Sequence, residues 1–91
     1  MEIVNLFDDQ KTLYSIADEH GEKSTITIDK WAADLLQEML PDVHVWIQSK
    51  YALVCEKKAH LSRREKGDVV RALARREAEK NSKYQQYVDM L

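Results

Sequence analysis

The chain has 91 residues, a net charge of −2, 44% hydrophobic and 33% charged residues, a balance that describes a globular chain and excludes a disordered one. At this length it is expected to form one domain, 1–91. Its single cysteine, Cys55, excludes an internal disulfide and a four-cysteine metal site.

The opening residues, MEIVNLFDDQ, carry acid where a secretory signal would carry base, and no apolar run reaches membrane-spanning length. Neither export nor membrane insertion is expected, and a cytoplasmic setting follows. Two short apolar runs come first, Glu2 to Phe7 and Thr12 to Ala17, and both read as strands. A helical turn around Gln10 to Ile16 is the alternative. Asp18 to Glu22 is a polar turn with Gly21 available for positive φ. Ser24 to Ile28 then alternates polar and apolar residues, with Thr25, Ile26, Thr27 and Ile28 all β-branched. The simplest pairing is a hairpin of Thr12–Ala17 with Ser24–Ile28, with the first run as a further strand.

At Asp29 the apolar period changes from two to about 3.6. Asp29 suits an N-cap, its carboxylate accepting from free amides of the next turn. Trp31, Leu35, Leu36, Met39 and Leu40 form the stripe of a first helix. Pro41 and Asp42 end it and open a second, which is predicted to run to about His60 with Val43, Trp46, Ile47, Tyr51, Val54 and Leu61 on one face and Leu53 beside them. Ser62 and Glu65 have capping-box spacing, so a third helix starts there, with Val69, Val70 and Leu73 as its apolar face. It is expected to fray near Asn81, leaving 81–91 as a tail that can dock through Tyr84, Tyr87 and Leu91. With only Gly21, Gly67 and Pro41 to interrupt regular structure, the fold class is α+β and mainly α: a β-ribbon region over 1–28, then three helices over 29–80.

The charge is unevenly placed. Ten acidic residues face three basic ones through His44, and eleven basic face six acidic from Val45 onward. A basic half can meet a polyanion and an acidic half a basic partner, although an ordinary mixed surface has the same composition. Small size makes a homodimer the expected state.

Arg64, Arg71 and Arg75 fall within about 40° of one another on a helical wheel, with Arg63 and Lys66 extending the row. Arginines so placed can hold successive phosphates. Ion pairing of Asp68 with Arg64 or Arg71, and of Glu79 with Arg75, is the simpler explanation of the same row. Lys23, Thr25 and Thr27 share one strand face, opposite Ile26 and Ile28. A two-stranded ribbon fits the major groove, where lysine and threonine can meet base edges. A solubilised edge strand has the same residues. No catalytic constellation is expected: His20, His44 and His60 are scattered, the last two suiting structural roles in the second helix. Cys55 reads as a core thiol, or as one whose pKa Lys57 and Lys58 lower. Trp31, Trp46 and Tyr51 read as core rather than as a base-stacking platform. No enzyme activity, cofactor or metal site is called for.

The order strand, helix, turn, helix, with STITIDKW and the later LSRREKGDVVRAL, resembles the ribbon-helix-helix DNA-binding proteins of bacteria, plasmids and phages over about residues 23–75. The resemblance implies a ribbon made of one strand from each of two chains, with Lys23, Thr25 and Thr27 facing bases and Ile26 and Ile28 in a shared core. About twenty residues precede the strand here and three helices are predicted where that family's core has two. The function expected is non-catalytic DNA binding by a homodimer, as a repressor or accessory factor in transcription regulation, with Arg63, Arg64, Arg71 and Arg75 on phosphates. The alternative is a protein-interaction module, such as an antitoxin-like or phage-encoded inhibitor, whose acidic first half, including Asp8, Asp9, Asp18 and Glu19, binds a basic partner.

Overall fold

A computed structural model describes residues 10–90. The run Glu2 to Phe7, the acids Asp8 and Asp9, and Leu91 lie outside the described residues. Strands β1 (Lys11–Ala17) and β2 (Lys23–Asp29) pair antiparallel, followed by helices α1 (Lys30–Met39), α2 (Val43–Lys57), α3 (Arg63–Ala78) and α4 (Ser82–Met90). The expected α+β, mainly helical architecture is present with four helices in place of three. Among the described residues no helix is long and apolar enough to cross a membrane.

The hairpin closes through its turn residues. Asp18 Oδ1 accepts from the amides of His20 and Glu22, both at 2.9 Å, and Gly21 takes φ 78°, a conformation that favours glycine. The register sets Tyr14 opposite Ile26, Thr12 opposite Ile28 and Ile16 opposite Ser24. By the period of two these residues share the inner face, and Ile16, Ile26 and Ile28 are buried.

Asp29 departs from its predicted role. Its side chain makes no capping bond to α1. It is buried and its carboxylate bonds Lys11 and Arg75 instead. Burial pushes the Asp29 carboxyl up, and the hydrogen bonds from Arg75 and Lys11 outweigh this and hold it below the usual aspartate range. α1 buries Ala32, Ala33, Leu35 and Leu36 and stops where Leu40, ahead of Pro41, turns to extended backbone at φ −116°, ψ 144°. Asp42 does cap α2, accepting from the Val45 amide at 3.1 Å. Val43, Ile47, Tyr51 and Val54 are buried along α2 as its spacing predicts, whereas Leu53 stays 37% exposed. α2 ends at Lys57, three residues before His60, because the chain must reverse at 58–61 before Ser62 can cap α3.

The Ser62–Glu65 capping box is complete, with bonds of 3.1 Å and 2.9 Å. Ser62→Ala is therefore expected to cost about 1 kcal/mol, measured as a lower denaturant midpoint. The predicted apolar face of α3 is found in part: Val70 is fully buried and Val69 and Leu73 pack half-buried against the core, while the rest of the buried face is Lys66, Gly67, Ala74 and Ala78. Small side chains at spacings of three and four let the helix approach the rest of the core closely. At Gly67 an added Cβ would stand 3.1 Å from Arg63 Nη1. The predicted tail is largely helix: Asn81 Nδ2 donates to the Leu35 carbonyl at 3.2 Å, Lys83 meets Glu38 at 2.9 Å and Tyr84 stacks on Trp31 at 5.7 Å between ring centres. These contacts hold α4 against α1, although no α4 residue is buried.

Candidate nucleic-acid interface

The outer face of the hairpin follows from the same register. Leu13 stands opposite Thr27, Ser15 opposite Thr25 and Ala17 opposite Lys23. Leu13, Ser15, Ala17, Lys23 and Thr25 are exposed, and Thr27 is half-buried. Lys23, Thr25 and Thr27 thus do share one face, as predicted, and Ile26 and Ile28 point to the core. This face is a short polar ribbon with one large apolar side chain, Leu13, 67% exposed near its middle. Its hydroxyls can donate or accept hydrogen bonds, its ammonium can donate, and its threonine methyl groups offer small apolar contacts.

Both edges of this ribbon are already occupied. Along β1, the Gln48 side-chain amide donates to the Ala17 carbonyl at 2.9 Å and accepts from the Ala17 amide at 2.8 Å, as a neighbouring strand would. The Ser15 carbonyl accepts from His44 Nε2; since a carbonyl cannot donate, that ring nitrogen carries the hydrogen. Along β2, Arg63 donates to Ser24 Oγ at 2.9 Å and to the Thr25 carbonyl at 2.7 Å, with its guanidinium 5.0 Å above the Tyr51 ring. Arg71 reaches the Thr27 carbonyl at 3.5 Å. An open edge invites another strand, and here side chains from α2 and α3 stand in that place. The ribbon is complete within one chain, whereas the family resemblance implies one strand from each of two chains.

The predicted arginine row therefore divides. Arg63 is committed to β2 and Tyr51. Arg71 pairs with Asp68, the expected intrahelical partner. Arg75 pairs with Asp29, not with Glu79. Arg64 is exposed and has no ion-pair partner among the described residues. Sequence reasoning misses the roles of His44 and Gln48, although two polar side chains four apart on α2 mark a common face.

A second polar group fixes the tip of the hairpin. Glu19 accepts from Tyr51 Oη at 2.8 Å and from Lys66 Nζ, with Cys55 Sγ 3.8 Å away. Lys66 is buried and Cys55 half-buried. The hydrogen bond from Lys66, then those from the Glu19 backbone and Tyr51, bring the Glu19 carboxyl down to about 2. The same bond to Glu19 raises Lys66, and burial followed by the Glu19 and Cys55 bonds raises the Tyr51 phenol. A cavity of about 260 Å³ opens beside this group, lined by Ala17, Asp18, Glu19, Gln48, Tyr51, Ala52 and Cys55. Because the folded-state value of Glu19 lies below its ordinary 4.5, its contribution to stability is complete above that pH and is lost as pH falls toward 2. Glu19→Gln is expected to flatten the stability–pH curve in this window, which acid titration of the folded fraction will show.

Among the described residues no three His, Cys, Asp or Glu side chains are grouped to hold a metal. Searches against protein-family models, curated proteins and solved structures returned no significant match to this chain.

Proposed function

We propose that the chain is a non-catalytic DNA-binding protein, a repressor or accessory factor, that lays the outer face of its β1–β2 ribbon in the major groove. The observation that carries this reading is the face itself: a two-stranded ribbon with Lys23 and Thr25 exposed and Thr27 half-exposed, the shape and chemistry that a major groove admits. In this reading Lys23, Thr25 and Thr27 meet base edges. A homodimer belongs to the same proposal, with exposed Val45 and Leu53 on α2 as its contact, since side chains occupy the ribbon edges.

The inhibitor alternative draws less support from the geometry. Three ion pairs between the two halves of the chain, Glu19 with Lys66, Asp29 with Arg75 and Glu38 with Lys83, consume acids of the first half with bases of the second. Asp18 is spent on the turn and Asp42 on a cap. Three of the acids that a basic partner could recognise are thereby paired internally.

The test is a titration of random-sequence and genome-derived duplexes at several salt concentrations. The proposal expects binding that weakens steeply as salt rises. Absence of binding at low salt would overturn it.

A further inference from the structure

Of the four arginines that the sequence marks for phosphate, Arg63, Arg71 and Arg75 spend their guanidiniums on β2 carbonyls, Asp68 and Asp29, which leaves Arg64. A duplex held against the ribbon needs other cations, and the α2–α3 reversal carries them. Lys57, Lys58 and Arg64 are all exposed there. None of the three has an ion-pair partner among the described residues, and Glu56 is the one acid in the stretch 54–61. Glu65 is committed to the Ser62 cap. Arg63, the residue before Arg64, bonds Ser24 and Thr25, so the first turn of α3 lies against the same end of β2 that presents exposed Lys23. Arg64 thus follows directly on the residue that is bonded to the Lys23 end of β2, and Lys57 and Lys58 precede it in the reversal between the two helices.

We propose that Lys57, Lys58 and Arg64, together with Lys23, form a phosphate-binding track that holds the backbone of a DNA duplex beside the groove the ribbon enters. This rests on the DNA-binding reading above; of the phosphate contacts expected on α3 it keeps Arg64 and replaces Arg63, Arg71 and Arg75 with lysines of the α2–α3 reversal and of β2. The ligand is a phosphodiester backbone, recognised by charge, so the track strengthens binding to every sequence alike.

The test compares the parent with a Lys57→Ala, Lys58→Ala, Arg64→Ala triple variant and with Arg76→Ala, whose exposed side chain lies in the last turn of α3. Each is titrated with a random-sequence duplex at several salt concentrations, after its melting midpoint has been confirmed against the parent. The triple variant is expected to reduce the slope of log K against log salt by roughly two to three units, at about 0.9 for each phosphate no longer neutralised, while Arg76→Ala leaves it unchanged. If the parent binds and the triple variant keeps the parental slope, or if Arg76→Ala lowers the slope as much as each track residue does, the track is wrong and the ribbon reading stands. If the parent shows no salt-dependent binding, both fall.

Discussion

Leu36→Ala is expected to lower the unfolding free energy by about 2–5 kcal/mol, the range for truncating a large buried aliphatic side chain. Leu36 is completely buried, and it belongs to the cluster that joins the inner face of the hairpin to the helices through Ile26, Ile28, Ile47, Tyr51 and Val70. The loss has two parts: the transfer free energy of the missing carbons, and the cavity left where close packing prevents collapse. Leu73→Ala makes the contrast, because Leu73 is half-buried at the border of that cluster. Its loss should be smaller than that of Leu36→Ala. Denaturant melts decide between them: a shifted midpoint at constant slope reports stability alone. Equal losses would mean that Leu73 is packed as deeply as Leu36, contrary to its half-buried position.

The second large effect is on binding. Thr25→Ala and Thr27→Ala are each expected to cost on the order of 1–3 kcal/mol on a preferred duplex and little on random DNA, as removal of a base contact does. The structure makes these substitutions clean. Arg63 and Arg71 bond the carbonyls of Thr25 and Thr27, not their hydroxyls, so alanine leaves the β2 edge anchored. Melting midpoints should stay close to the parent while discrimination falls. Parallel titrations on preferred and random duplexes measure the difference directly, and equal losses on both would assign these threonines to fold or to phosphate.

The elements legible in the sequence are those whose signals are local. Period-two alternation at Thr25–Ile28, the turn chemistry of Asp18 and Gly21, the Pro41 break and the Ser62–Glu65 box each act within a few residues, and each is realised in the fold. The buried face of α3 is legible only at Val70, because Gly67, Ala74 and Ala78 carry little hydrophobic signal and Lys66 carries the opposite one. Nor are the partners of the arginines. Local spacing points to neighbours three or four residues away, whereas Arg63 and Arg75 find theirs 38 and 46 residues away in β2. Asp29 shows the same displacement: a residue well placed to cap α1 is drawn to Lys11 and Arg75 once the hairpin brings them together. The polarity of charge along the chain is likewise offset in three dimensions by three ion pairs between the halves, with Lys23, Lys57, Lys58, Arg64 and Arg76 among the cations that have no ion pair within the described residues.

Use of the ribbon face is the claim on which the rest depends, and backbone amide chemical shifts during titration with a short duplex test it residue by residue. The largest changes should fall on Leu13, Ser15, Lys23, Thr25 and Thr27, with a second set at Lys57, Lys58 and Arg64, while α4 and the outer side of α1 stay quiet. A map of changes centred on α1 and α4 with the ribbon silent would contradict it.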